Sequence, residues 1–322
     1  MRVLSGMQPS GNPHLGNYLG AMKQHIELQN QHEECFYFIA NYHALTTVRD
    51  PEKLREMTFE LAVDYLALGL DPQKSVFFRQ SDVPEHTELA WILECITPMG
   101  MLERAHAWKD AVKKGKKESS VGLFNYPVLM AVDILMYHPH IVPVGKDQKQ
   151  HVEIARDIAQ RFNKTFGETF TLPEALIKEN VATVPGIDGE KMSKSYGNTI
   201  DIFAPENILK KQVMSIITDS ATVEEKKNLE KNIIFQLYSL LAKQEEIKKL
   251  REKFLNGGFG YGDSKKMLFE KIMDEFHTPR EKREKLMQER NYVESVLSEG
   301  GKKAKALAIK TTEEVRKKVG LD

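Results

Sequence analysis

Short, continuous apolar runs alternate with long helical patterns through the first two thirds of the chain, and that alternation limits the fold more than any other feature. "RVL" at the start, "CFYFIAN" (35–41), "SVFFRQS" (75–81), "IVPVG" (141–145) and "VATVPG" (181–186) read as strands. Runs this short and uninterrupted suit parallel strands covered by helices on both faces. A helix opens at Asp50-Pro51, a cap followed by proline at the first helical position, and closes near Gly69. Two more are expected over about 87–108 and 123–137. A fourth opens with "DQKQ" (147–150), where Asp147 and Gln150 have capping-box spacing. The alternation predicts an α/β fold, a Rossmann-like doubly wound parallel sheet over residues 1–203.

After Phe203 the character changes. From Pro205 the chain is rich in Lys, Glu and Leu with helical periodicity, as in "LEKNIIFQLYSLLAK" and "KKMLFEKIMDEF", broken by "NGGFGYGDS" (256–264). Residues 204–322 are expected to form a helical C-terminal domain, and a chain of 322 residues has room for two domains. Net charge is zero, so a nucleic-acid partner would have to be met by a local basic surface. Cys35 and Cys95 sit in apolar runs and read as buried thiols of a cytosolic protein, too few for a disulfide framework or a four-cysteine zinc site. No apolar run approaches the ~20 residues of a membrane span, and the first strand begins too early for a signal peptide.

Two stretches carry the chemistry. "MQPSGNPHLGNYLGA" (7–21) follows the first strand and leads into a helix whose Leu15, Tyr18, Leu19, Met22 and Ile26 fall on one stripe. A strand, a glycine-rich turn and a helix start together present backbone N–H groups to an anion at the carboxyl edge of the sheet. Packing of that stripe is expected to leave His14 and Asn17 facing outward to a ligand. A plain connection needing glycines for its geometry fits the same residues. "GIDGEKMSKSYGN" (186–198) is flanked by turn-formers and places Lys191 and Lys194 three apart, where they can meet a polyphosphate as point charges. The alternative there is a solvated turn. Neither stretch has Walker or dinucleotide spacing.

Taken together, "HLGN" and "KMSKS" are similar to the two signatures of class I aminoacyl-tRNA synthetases. Lys191–Ser195 match KMSKS letter for letter; His14 and Gly16 match the HIGH signature, with Leu15 and Asn17 as departures. Asn17 can still donate to an oxygen. "GLFNYPVLMAVDILMY" (122–137), "VPVGKDQKQHVEIARDIAQRFN" (142–163) and the first loop resemble tryptophanyl-tRNA synthetases, in order and over nearly the whole chain. Tyrosyl-tRNA synthetases share the fold and the signatures. A nucleotidyltransferase of the same superfamily would leave the long helical domain unexplained.

Asp133 lies in the apolar run "LMAVDILMY" and shares a helical face with Tyr126 and Met130. A buried carboxylate is costly without donors. An indole offers one N–H and no acceptor, so a pocket with Asp133 as acceptor and Met130 against the ring would suit it. The other reading is a structural carboxylate paired with a neighbouring helix. His43 follows the second strand at the carboxyl edge, where it would line the same pocket or serve as a satisfied loop residue.

The resemblance implies that Tyr126 and Gln148 hold the α-amino group of tryptophan. It assigns ATP to Gln8, Pro9, Ser10, His14, Gly16 and Asn17 in the first loop, and to Gly145, Lys146 and Asp147. Val184 would touch adenine through its backbone, and Lys191, Met192, Ser193, Lys194 and Ser195 would cover the phosphates. His14, Asn17, Lys191 and Lys194 would carry catalysis. Mg²⁺ would be held mainly by phosphate oxygens and water, so no protein metal ligand is expected. The implied partners are L-tryptophan, ATP and tRNA(Trp), with the helical domain on the anticodon, in a cytoplasmic homodimer. Two basic clusters, 108–117 and 302–318, could meet phosphates or be solvated faces.

Overall fold

The computed structural model describes residues 1–105, 108–109, 120–177 and 184–322. They divide into two compact units, one of residues 1–11, 24–177 and 286–322, the other of residues 12–23 and 184–285.

The first unit is built on a five-stranded sheet in the order β3-β2-β1-β4-β5, every pairing parallel. The strands are β1 (Arg2–Met7), β2 (Glu34–Ile39), β3 (Ser75–Arg79), β4 (Ile141–Pro143) and β5 (Glu174–Leu176). β1 lies opposite β2 from Arg2↔Glu34 to Met7↔Ile39. Val3, Leu4, Tyr37, Phe38, Ile39, Phe77, Phe78 and Val142 are buried from both faces of the sheet, as runs of this kind require. Four of the expected strands are present. The fifth is Glu174–Leu176, a three-residue strand with no apolar run to announce it. Of the 181–186 run, residues 181–183 lie outside the described residues, and Pro185 makes an isolated antiparallel bridge with Lys191.

The Pro51–Leu68 helix begins as expected: the Asp50 carboxylate accepts from the N–H groups of Glu52 and Lys53, and Gly69 ends it with φ 112°. The helix expected over 87–108 is two, Glu85–Glu94 and Met99–Glu103, because Pro98 cannot continue the first. Val121–Leu135 is the third, with Ser120 capping Leu123 N–H. The fourth spans Lys149–Phe166, preceded by a 3-10 turn at Lys146–Gln148, with Gln148 at its cap position; the Asp147 side chain of the expected capping box lies outside the described residues. Cys35 is buried, but Cys95 is exposed, one residue past a helix end.

The last helix, Arg290–Val319, belongs to this unit and packs on β3. Gly300 makes the fit: a Cβ there would stand 1.8 Å from the Phe77 carbonyl oxygen. Arg79 bridges to Glu294 at 2.7 Å, and Thr311 donates to the Met136 carbonyl at 2.8 Å.

The second unit is helical among the described residues, with Glu206–Met214, Ile233–Leu241, Gln244–Asn256 and Tyr261–Glu275. The last of these packs against the first two. Ile234, Leu237, Leu250, Phe254, Leu268 and Ile272 are fully buried, the apolar stripe the periodicity predicts. The break at 257–260 is where Gly257 and Gly258 take positive φ.

Candidate active site

In a parallel open sheet, ligands bind beyond the carboxyl ends of the strands, where the strand order reverses. Here the reversal lies between β1 and β4. The segments leaving those ends carry most of the expected residues. Gln8, Pro9 and Ser10 follow β1, His43 sits on a short helix (Asn41–Ala44) after β2, and Gly145–Gln148 follow β4. A 3-10 turn after β3, Gln80–Asp82, adds a residue the sequence reading did not single out.

Asp133 projects from the Val121–Leu135 helix and is 1% exposed. It does not lack internal partners. Oδ1 accepts from Gln80 Nε2 at 2.6 Å and from His86 Nδ1 at 2.6 Å; Oδ2 accepts from His43 Nε2 at 2.7 Å. Burial alone would push this carboxyl up, but His43 and His86 outweigh it and hold the pKa at about 2. The group is therefore an ionised acceptor. The structural pairing weighed as an alternative is real, and it involves three elements rather than one helix. A carboxylate has about four acceptor positions, so among the described residues one remains, on Oδ2.

The donors are themselves fixed. His86 Nε2 lies 2.6 Å from the Tyr137 hydroxyl. Both ring nitrogens of His86 are therefore engaged, one by the carboxylate and one by the phenol. Burial, then the Asp133 charge, push the Tyr137 phenol well up, so it keeps its proton to donate. Gln80 is fully buried, and its Oε1 accepts from Tyr42 N–H at 3.0 Å.

Tyr126 sets its ring edge-on to His43 at 6.2 Å, and its hydroxyl pairs with His151 Nε2 at 2.7 Å. Burial raises its pKa. Met130 is partly buried against the core, on the same face of the helix as Asp133. Tyr126, Met130, Asp133 and His43 thus come together in the first unit. Gln148 caps the Lys149–Phe166 helix, while Gly145 and Lys146 are exposed at the end of β4. For Asp147 only the backbone, within the 3-10 turn, is described.

The second unit holds both signature motifs. His14 and Asn17 do not simply face outward: they close a reciprocal cap. His14 Nδ1 accepts from Asn17 N–H at 3.2 Å, and Asn17 Oδ1 accepts from His14 N–H at 3.2 Å. His14 is 6% exposed. Burial first, and then the Lys194 charge, lower its pKa to about 4, with Asp201 acting weakly the other way. At neutral pH the imidazole is uncharged, and because Nδ1 is an acceptor the proton sits on Nε2. Gly16 is held to glycine by its neighbours: a Cβ would meet His14 Nδ1 at 2.9 Å and Met192 Cβ at 3.4 Å.

The lysine loop is anchored to this turn. Leu15 N–H donates to the Ile200 carbonyl at 2.9 Å, His14 bridges Asp201, and Gly16 N–H donates to Met192 Sδ at 3.3 Å. Met192 is buried, whereas Lys191, Lys194 and Ser195 are exposed. The Val184 carbonyl accepts from Met192 N–H at 2.9 Å, so Val184 is spliced to the loop. Asn198 organises it from within. Only 2% exposed, it accepts from Ser193 N–H at 2.8 Å and donates to Asp188 at 2.8 Å and to the Lys191 carbonyl at 3.1 Å.

Gln80, His86, Tyr137 and Asn198 are the residues that the sequence reading missed. Position alone marked Gln80, at the carboxyl end of a strand, and Asn198, beside the lysine motif. Nothing local marks His86 or Tyr137, whose partners are 47 and 51 residues away in sequence.

The family model described as tRNA synthetases class I (W and Y) matches residues 1–277. The chain is 54% identical to a tryptophan–tRNA ligase of Fusobacterium nucleatum, over 99% of this chain and 98% of that one. It is 51% identical to a tryptophan–tRNA ligase of Rhodopirellula baltica over the full length of both. The fold superposes with TM-score 0.93 on the crystal structure of tryptophanyl-tRNA synthetase from Campylobacter jejuni complexed with ADP and tryptophan, at 51% identity and full coverage of both chains.

Proposed function

The chain belongs to the class I tRNA synthetases of the tryptophan and tyrosine group, and on that premise we propose how its residues divide the work of charging tRNA. The activity is that of a tryptophan–tRNA ligase. L-Tryptophan is activated with ATP to tryptophanyl-adenylate and then transferred to tRNA(Trp). In the first step a tryptophan carboxylate oxygen forms a bond to the α-phosphorus, and the bond from that phosphorus to the β-phosphate breaks, releasing pyrophosphate. In the second, a hydroxyl of the terminal ribose attacks the carbonyl carbon, loses its proton, and AMP departs. No covalent enzyme intermediate is required.

Asp133 receives the indole N–H on the acceptor position left at Oδ2, beside His43, with Met130 against the ring. Tyr126 and Gln148 hold the α-amino group. The observation that carries the assignment is a buried, ionised carboxylate with one acceptor position left after three donors are counted. An amino acid without a donor leaves that position unmet, which can discriminate by ~10⁴–10⁵.

Gln8, Pro9, Ser10 and Gly16 shape the loop that meets the nucleotide. His14 donates from Nε2–H to a phosphate oxygen as a neutral imidazole, and Asn17 donates from its amide. Gly145, Lys146 and Asp147 take the adenosine side, with Val184 on adenine through its backbone. Lys191 and Lys194 offset the charge that builds on pyrophosphate, and the Met192, Ser193 and Ser195 backbone carries them. Mg²⁺, if bound with the triphosphate, would supply further positive charge there beside the two lysines. The helical residues 204–322 bind the anticodon, with the final helix docked on the sheet.

The protein acts as a homodimer. Trp91 and Met99, exposed at 68% and 63% on neighbouring helices of the first unit, support that reading. We place it in the cytoplasm; among the described residues no helix is long and apolar enough to cross a membrane. Pyrophosphate exchange into ATP, run with each proteinogenic amino acid with and without tRNA, tests the function: exchange should be driven by tryptophan alone. Light scattering of the purified chain tests the dimer.

A further inference from the structure

We propose that His86, seated by Tyr137, is a specificity-determining positioning residue that aims the Asp133 carboxylate, so that only Oδ2 is left to read the ring nitrogen of the amino acid. The inference rests on the reading of Asp133 as the indole acceptor.

Asp133 Oδ1 takes two donors, Gln80 Nε2 and His86 Nδ1, both at 2.6 Å, and so has no position to spare. Oδ2 takes only His43. The two oxygens of a carboxylate are chemically the same; here only the neighbours make them different. Gln80 is a buried amide on a longer, unringed side chain, held at its other end by Tyr42 N–H. His86 is the stiffer part. It is fully buried, its ring is packed 5.5 Å from the Tyr137 ring and 6.4 Å from the Phe38 ring, and both its nitrogens are bonded. A ring gripped at both nitrogens cannot swing away, so the Nδ1–H vector fixes χ2 of Asp133. His86 has no donor to give a ligand, and it touches Asp133 rather than the reacting atoms, which makes it a positioning residue.

A carboxylate that lost this grip could turn and offer either oxygen, or share its last position with water. Binding of any aromatic amino acid would then suffer somewhat, but the preference for a ring N–H would suffer most. That difference separates aiming from simple structural support.

The probe is β-(3-benzothienyl)alanine, tryptophan with sulfur in place of the ring N–H. The full chain and its variants are assayed by pyrophosphate exchange with tryptophan and with this analogue, and the ratio of the two kcat/KM values is read. The wild-type ratio should be large, at least ~10³. His86→Leu should bring the ratio down by ~100-fold or more while KM for ATP stays within threefold or so. His86→Asn, whose amide nitrogen falls near the position of Nδ1, should keep most of it. Tyr137→Phe, which leaves Nε2 without its partner, should lower the ratio by about tenfold. Equal loss of both kcat/KM values in His86→Leu and Tyr137→Phe, with the ratio unchanged, overturns the proposal and leaves His86 as core support. A wild-type ratio near one instead overturns the reading of Asp133 itself. Thermal melts show which variants fold; if His86→Leu does not, Tyr137→Phe and His86→Asn decide.

Discussion

The amide nitrogen of Gly16 donates to the sulfur of Met192 at 3.3 Å, across 176 positions of sequence. Gly16 is the glycine of the first signature and Met192 the buried centre of the second. A sulfur is a weak acceptor, so the contact is chiefly a packing one. Its effect is to fix the backbone between Lys191 and Lys194 while both ammonium groups stay exposed. Positive charge on long stems above a pinned backbone suits a role that follows phosphate through a reaction.

Lys194→Ala should lower kcat for tryptophan-dependent pyrophosphate exchange by ~10²-fold or more, with tryptophan binding nearly unchanged. It should also raise the pKa of His14, because the Lys194 charge helps hold that group at about 4. Burial remains, so the value stays below 6.5. Proton NMR of the His14 ring across pH 3–8 reads the shift; no movement would mean the two groups do not sense each other.

Asp133→Asn puts an amide NH₂ among donors that need an acceptor. Tryptophan should bind ~10–100-fold more weakly, with the affinity for ATP within a few-fold of wild type. Calorimetric titration with each ligand separately settles it, and unchanged tryptophan affinity would reduce Asp133 to a structural role.

Gly16→Ala is a small change with little room. The new Cβ would press on the His14 ring at 2.9–3.0 Å and on Met192 at 3.4 Å. The expected outcome is a folded protein with kcat/KM for ATP down ~10-fold or more, since the ring must turn and loses its cap to Asn17. An alanine variant with full activity would show that the His14 geometry is not needed.

Acid stability follows from two histidines and one carboxyl. His25, buried completely, is lowered to about 3, and His14 to about 4, chiefly by burial. Unfolded, both bind a proton near 6.5, so between roughly pH 6.5 and 3 the unfolded chain holds more protons. Stability therefore rises with pH through that window and is lost on acidification. Asp133, at about 2 when folded, adds a loss in the same direction below about pH 4. Urea midpoints measured from pH 7 to pH 4 should fall monotonically; a flat profile would contradict the buried, neutral state of both rings.

Much of this was legible before the fold was known. β1 to β4 are continuous apolar runs, and a strand buried on both faces cannot be written otherwise. The Asp50-Pro51 start and Gly69 stop are local chemistry that needs no tertiary partner. β5 was not legible, because three residues at the rim of a sheet carry no pattern, and the long 87–108 periodicity concealed the break that Pro98 makes. The loops proposed to bear the site leave strand ends and carry glycines, features that a sequence shows directly. The Asp133 cluster was not legible: Gln80, His86 and Tyr137 come from a strand end, a helix start and a helix end, and only the folded chain sets the first two on the carboxylate and the third on His86.

The helix that seals β3 is the final one, Arg290–Val319. A ribosome that has already released Phe77 and Phe78 must add more than two hundred further amino acids before their cover exists. The nascent polypeptide therefore carries a greasy, unclosed flank through all of that interval. Early segments wait on late ones, and the first unit matures only once residues 290–319 have been made.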